Sequence, residues 1–472
     1  MEEKYIGFNE KRMYVFGELV KRYWDGHLND VTDLKQLALE IKNKYSFSDI
    51  DLPFIKDHIR VAMGQNPKGP EEFSDELSLV KKCDCVSQPV VARIEGPCNF
   101  CHKENCECKI ESKYDTEIYR RNNSVITDED IQDFENYSAE CDFGALAEKI
   151  EFMPLVDLLK SENELVYAVV APAIVGQFGN DVTMGKLRTA LKLIGFKDMI
   201  EVALFADVLT IKEAFEFNDL VKNEEDFFLT SCCCPVWFNM IKKNYPNVYR
   251  YMSPSVSPMI ASGRILKRLY KDAKVVFIAP CIAKKAEIKE PDLLGAIDYV
   301  LNFRELKEVF NALGISVGQL HEDGKDQASL GGRLYARTGG VSFSVKTVVN
   351  RLEPKRVIKL KPKKVNGVKE CKSILDDLQK GKKVDANFIE GMGCPDGCVG
   401  GPRTNISARE AIKYVNDFGE ESFILTPFDN YNVMKILKQF GIHSIEEIME
   451  NLELKKLLSR EKVDIQKDKD II

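Results

Sequence analysis

The chain has 472 residues, with 67 basic against 74 acidic side chains and a formal charge of −7. That length supports two or three domains around a sizeable core. The acidic balance, with Lys and Glu mixed along the chain and no sustained basic stripe, argues against a nucleic-acid-binding protein.

Residues 1–78 carry no cysteine, and "RMYVFGELVKRYW" and "DLKQLALEIKNKY" place apolar residues at helical spacing, so a helical module without chemistry is predicted there. The opening "MEEKYIGFNEKR" lacks the basic-then-apolar pattern of a secretory signal, and "VYAVVAPAIV" from Val166 is too short to span a bilayer. A cytoplasmic location with no membrane partner is expected. Residues 79–155 are polar and cysteine-rich, the composition of a segment held together by metal clusters rather than by an apolar core. Over 156–430 the pattern is β/α. "VYAVVAPAIV" reads as a buried strand and "TMGKLRTALKLIGF" as a helix. "DFFLTS" reads as a strand entering "CCCP", with the helix "VWFNMIKKNY" behind it. "AKVVFIAPC" and "ANFIEGMGCPDGC" read as strands ending at Cys281 and Cys394. Continuous apolar strands alternating with helices predict an α/β fold with mostly parallel sheets flanked by helices. Residues 431–472 read as a C-terminal helical segment.

Fourteen cysteines with only five histidines favour iron–sulfur clusters or structural zinc over histidine-rich metal sites. A reducing compartment disfavours a disulfide framework. Three strands end in cysteine beside proline or glycine. Cys234–Pro235, Pro280–Cys281 and "GCPDGCVGG", with Cys394 and Cys398, together offer four thiolates, the ligand count of a cubane cluster. In open α/β sheets ligands sit beyond the carboxyl ends of strands, which would gather these thiols. Structural zinc is the alternative, although its ligands usually come in short-spaced pairs within a small module.

"TSCCCPVW", "APCIAKKAE" and "FIEGMGCPDGCVGG" resemble, in order, the three signature segments of the iron-only (FeFe) hydrogenases. "VAPAI" (with Ala171 and Pro172), "SPSVSP" and "RTGGV" extend the resemblance over about residues 160–430. It implies a two-lobed catalytic domain, a small N-terminal ferredoxin-like domain, and reversible conversion of protons and electrons into H2. It also implies an H-cluster: a 4Fe–4S cluster on Cys234, Cys281, Cys394 and Cys398. Cys398 would bridge it to a diiron subsite carrying CO, CN and azadithiolate, installed by separate maturation proteins. Pro280 flanks this site. Lys284 matches a lysine that contacts a cyanide ligand, whereas its neighbour Lys285 reads as a solvated surface residue. Met392 matches a methionine packed near the diiron centre. The implied proton relay uses Cys233, then Ser253 and the two glutamates Glu213 and Glu216, with Glu287 beside it. The sequence departs from the family at Leu220, where the outermost arginine of the route is missing, and at Ala279, Met259 and "GGPRT". These departures resemble a divergent branch. Cys232 is a surplus thiol, either tuning the relay or without a role.

"CNFCHKENCEC" and "AECDFGAL" resemble parts of a two-cluster ferredoxin module, implying one accessory 4Fe–4S cluster on Cys98, Cys101, Cys106 and Cys141. Cys83, Cys85 and Cys108 are left for a second cluster or as free thiols, with local zinc the alternative. Ferredoxin or a similar carrier is the expected electron partner. A non-catalytic relative, a hydrogen sensor or an iron–sulfur assembly factor, is the competing expectation.

Overall fold

The computed structural model describes Tyr5 and residues 7–80, 90–94, 144–230 and 233–460. Strands β1 (Val91–Arg93) and β2 (Leu146–Glu148) form an antiparallel pair. Strands β3 (Val166–Val170), β4 (Asp198–Glu201), β6 (Lys274–Ala279) and β7 (Tyr299–Asn302) form one sheet in the order β4-β3-β6-β7. Strands β5 (Phe228–Thr230), β8 (Pro362–Asn366) and β9 (Phe388–Met392) form a second, in the order β5-β9-β8. Every pairing in these two sheets is parallel. This is the α/β architecture expected from the alternating pattern.

All five residues of β3 are buried, because strands pair on both sides of it and helices cover both faces. The strand is shorter than the apolar run suggested. Pro172 has no N–H to donate, and Pro172–Ile174 turns as a 3₁₀ segment instead. Ala171 still donates its N–H to Ile278 O at 2.9 Å, so the "VAPAI" turn lies against the end of β6.

The three-stranded sheet separates two cores by strand alternation. Leu229, Ile389 and Val365 face Trp237, Phe238 and the helix Val368–Gln379. Phe228, Phe388 and Met392 face Phe217, Val341 and Val345. A Cβ on Gly391 would meet the Trp237 ring at 2.3–2.5 Å, so only glycine lets that indole lie on β9.

The N-terminal helices do not stand apart. The helix Phe8–Trp24 packs on the helix Phe303–Ala312 so closely that a Cβ on Gly17 would overlap the Glu308 carboxylate. Their apolar faces belong to the same core as the four-stranded sheet. The C-terminal segment is likewise docked: Leu458 O accepts from Val256 N at 3.0 Å, and Arg460 N donates to Pro254 O at 2.7 Å. Among the described residues no helix is long and apolar enough to cross a membrane.

Candidate functional site

Strands β5, β6 and β9 all deliver their carboxyl ends to one place between the two sheets. β5 and β9 are paired neighbours, with Thr230 opposite Glu390, so the segments that follow them start side by side. Cys234 is the N-cap of the helix Pro235–Asn244, whose first residue is proline. That places the thiol at the positive end of the helix dipole. Gly393, directly before Cys394, donates its N–H to Cys234 Sγ at 3.3 Å. A Cβ on Gly393 would press on Val236 at 2.8 Å, so the two chains meet this closely only with glycine there.

Between Cys394 and Cys398 the chain reverses at Asp396 (φ 62°) and Gly397 (φ 87°). A Cβ on Gly397 would lie 2.8 Å from Thr338 N, which itself donates to Asp396 O. The "RTGGV" loop is therefore the wall against which the "PDGC" turn folds. Its own geometry is set by Glu390. This buried carboxylate accepts from Gly339 N at 2.7 Å and Ser342 N at 2.8 Å. From the other sheet, Pro280 O accepts from Arg403 N at 3.1 Å, tying the Cys281 loop to the segment after Cys398.

The thiols sense one another. Burial, reinforced by the sulfur of Cys234, pushes the Cys281 thiol up to about 11. Burial, with Cys234 and Cys281 adding to it, pushes Cys398 up to about 12. Such thiols stay protonated by themselves, and only a bound cation would favour their thiolates. Among the described residues no three His, Cys, Asp or Glu side chains converge to hold a single ion. Four cysteines brought from the ends of three strands match the ligand count of a cubane cluster, whereas structural zinc usually takes short-spaced pairs.

Cys233 is buried, with Sγ 4.0 Å from Met392 Sδ. Lys284 is buried and donates to Glu287 Oε2 at 2.6 Å. Burial alone would lower its pKa, but Glu287, Cys281 and Cys233 together raise it, so its ammonium is the cation facing the thiols. The far oxygen of Glu287 lies 3.6 Å from the Arg460 guanidinium. Arg460 also donates to Glu290 at 2.7 Å and sits 3.9 Å over the Phe238 ring. No local signal marked Arg460, because its partners lie more than 160 residues upstream.

Both glutamates of the helix Ala203–Leu220 are buried, and they take different partners. Glu213 accepts from Thr230 Oγ1 at 2.5 Å. Glu216 accepts from Ser253 Oγ at 2.8 Å and, on its other oxygen, from Lys212 Nζ at 2.5 Å. Lys212 also reaches Ser255 Oγ at 2.7 Å. Lys212, Ser255 and Thr230 were missed by sequence reasoning; only the one-turn spacing of Lys212 and Glu216 hinted at the first. Leu220 ends the helix exposed, and Ala279 and Met259 are buried.

Lys285 corrects a sequence expectation. It is not a surface lysine: it is 2 % exposed and donates to Lys149 O at 2.9 Å and to Glu305. Glu305 caps its own helix, and Glu148 at the end of β2 lies beside it, also reached by Arg403 at 3.2 Å. Burial pushes Glu305 up, against the pull of Lys285 and with the push of Glu148, to about 7. For Glu148 the burial effect is outweighed by Arg403, Lys285 and Arg12, which hold it at about 2. A carboxyl raised in the fold stabilises it fully below its ordinary 4.5, and that contribution is lost as pH rises through about 7. The unfolding free energy of the wild type, measured relative to Glu305→Gln, is therefore expected to fall across that window in denaturant titrations. A pH-independent difference would mean that Glu305 is ionised in the fold.

Cys371 is fully buried, with Sγ 3.4 Å from Met392 O, apart from the four-thiol group. Cys83, Cys85, Cys98, Cys101, Cys106, Cys108, Cys141 and Cys232 lie outside the described residues, and so do the expectations placed on them.

Residues 164–402 match the family model described as "Iron only hydrogenase large subunit, C-terminal domain". The chain is 28% identical over 317 residues to iron hydrogenase 1 of Clostridium pasteurianum, covering 57% of this chain and 55% of that protein. It thus spans about half the length of that relative. It is 23% identical over 318 residues to a probable cytosolic Fe-S cluster assembly factor of Drosophila persimilis, covering 54% of this chain and 66% of that one. An [FeFe]-hydrogenase solved in a study of stepwise H-cluster assembly shares the fold. Its TM-score is 0.53 at 22% identity, over 66% of this chain and 97% of that one.

Proposed function

The chain belongs to the iron-only hydrogenase large-subunit family, and on that premise we propose that it is a hydrogenase, interconverting H2 with protons and electrons. The observation that carries this reading is the set of groups around the four thiols. The buried Cys233–Met392 pair and the Lys284–Glu287 pair face them, and the Glu216–Ser253 contact lies behind. A protein that needed only to hold a cluster would have no use for a buried ammonium and a chain of proton-carrying side chains.

Cys234, Cys281, Cys394 and Cys398 would hold the cubane of an H-cluster, with Cys398 bridging to the diiron subsite. When bound, that cofactor supplies the centre at which two protons and two electrons combine. The chain's own residues do the rest. Cys233 holds the last transferable proton at Sγ, and its thiol is short and buried, so water does not replace it. Ser253 keeps its hydroxyl proton on Glu216 Oε2 and passes it on only as it receives another. Glu213, anchored by Thr230, would pass protons between that pair and Cys233. Lys212 holds the outer oxygen of Glu216, which fixes the carboxylate in one rotamer. Lys284, held by Glu287 with Arg460 behind it, would supply a buried positive charge to the anionic diiron subsite. Met392 and Ala171 line the pocket with groups that do not compete for protons, and Pro172 and Pro280 fix the turns beside it. An accessory 4Fe–4S cluster on Cys98, Cys101, Cys106 and Cys141 would pass electrons onward.

The likeness to an Fe-S assembly factor supports a second reading, in which the fold carries clusters without turnover. Hydrogen evolution by the purified protein, after installation of the diiron subsite by maturation proteins, separates the two. Turnover is expected; its absence in a protein loaded with the full cofactor would favour the assembly role.

A further inference from the structure

The C-terminal segment meets the candidate site through residues 458–460. Val256 N donates to Leu458 O at 3.0 Å, and Arg460 N donates to Pro254 O at 2.7 Å. Ser459 is the antiparallel bridge partner of Ser255, so these three residues lie along the stretch that follows Ser253. Arg264 fixes the same turn. Its Nη1 donates to the carbonyls of Leu457 at 3.3 Å and Ser459 at 2.9 Å, and its Nη2 to Asp292 O at 2.7 Å. From this backbone the side chain of Arg460 runs inward and is buried.

The guanidinium stands between two segments that each bring a thiol to the four-thiol group. On one side it lies 3.9 Å over the Phe238 ring, on the helix that Cys234 caps. On the other it meets the segment after Cys281. Nη1 donates to Glu290 Oε2 at 2.7 Å and to Asp292 Oδ2 at 3.4 Å, and Nη2 lies 3.6 Å from Glu287 Oε1. Glu287 ends the helix Ala283–Glu287, and its other oxygen accepts from Lys284 Nζ at 2.6 Å. Neither Glu287 Oε1 nor Arg460 Nη2 has a hydrogen-bond partner among the described residues, so their contact is an ion pair without a hydrogen bond. Glu287 is thus shared by two buried cations, Lys284 on one oxygen and Arg460 on the other. The ammonium of Lys284 in turn senses Cys281 and Cys233.

We propose that Arg460 is a positioning residue for the reaction, acting through Glu287 to keep Lys284 turned toward the four thiols. The proposal rests on the hydrogenase reading above, and it adds a residue that lies beyond the segment matching the family model. Arg460 offsets the outer oxygen of Glu287, so Lys284 is not the only counter-charge of that carboxylate. Without Arg460, Glu287 is left a buried carboxylate with one cation, and it draws the ammonium onto itself and away from the cysteines. Charge balance alone accounts for a cation beside Glu290 and Asp292. It requires neither a planar guanidinium laid on an aromatic ring nor a second nitrogen turned toward Glu287.

The test is Arg460→Met in the full chain, first prepared with its cubane but without the diiron subsite. The paramagnetic signal of the reduced cubane, identified by its absence from Cys281→Ala, is followed through a redox titration. The midpoint is expected to move to a more negative potential, because a withdrawn ammonium stabilises the reduced cluster less. In a Glu287→Gln background the same substitution should move it much less, since no carboxylate remains to draw Lys284 away. In the matured protein, Arg460→Met should shift the carbonyl and cyanide bands to lower wavenumber and cut turnover about tenfold. An unchanged midpoint would overturn the proposal. So would a shift of equal size in both backgrounds, which is only the bare field of a removed charge. Where the methionine variant loses its iron, Arg460→Gln, which still donates to Glu290, goes through the same titration and is judged by the same outcomes. A matured wild type without carbonyl and cyanide bands would sink the hydrogenase reading, while the cubane midpoint still decides whether Arg460 places Lys284, so the two fail separately.

Discussion

Replacing Cys233 with alanine is expected to cut hydrogen turnover by about 10²–10⁴-fold while leaving iron content and the fold intact. The side chain is small and buried and lies against Met392 Sδ at 4.0 Å, so its loss opens a minor cavity and removes no ligand thiol. What it removes is the thiol proton that the proposed relay delivers to the four-thiol centre. Water is a poor substitute at a buried position packed against the Met392 thioether. Serine in its place should recover little, because an alcohol releases its proton far less readily than a thiol. The discriminating readout is the pair of iron content and rate. A loss of both would make Cys233 a ligand, and retention of both would remove it from the relay.

The second large effect contrasts two buried cysteines. Cys281→Ala is expected to lose the cubane, about four irons per chain, and to destabilise the protein, because a gathered thiol set without its cations is a folding liability. Cys371→Ala should keep all of that iron and cost on the order of 1–2 kcal/mol, the range of an ordinary buried truncation. Both sulfurs lie near the three-stranded sheet's carboxyl end. Only Cys281 is coupled electrostatically to Cys234 and Cys398, whereas Cys371 faces the carbonyls of Met392 and Val365. Iron analysis and denaturant unfolding of the two variants decide it. Equal iron loss in both would mean that the ligand set is drawn wrongly.

What could be read from sequence was what is local. Apolar runs that stop at cysteine beside proline or glycine placed β5, β6 and β9, and parallel pairing then brought their ends together. The resemblance named Ser253 and Glu216 without pairing them, and the fold joins them across 37 positions. Lys285 was misread because its chain neighbourhood looks solvated. Its partners, Glu305 and the backbone of residue 149, come from elements 20 and 136 positions away. Arg460 was invisible for the same reason: only the docked tail brings its guanidinium to Glu287 and Glu290. Lys212 was readable as a neighbour of Glu216, but its second contact, Ser255, needed the loop before the helix Pro258–Leu269.

The central claim is that the four thiols carry a hydrogen-converting cofactor and not a plain cluster. Infrared spectroscopy of the protein matured with its diiron subsite tests it most directly. Absorption bands from metal-bound carbonyl and cyanide are expected, shifting when H2 is admitted and perturbed by Lys284→Met, which removes the buried ammonium beside Cys281. A matured protein that holds its cubane iron yet has no such bands would contradict the account and leave a cluster-carrying relative in its place.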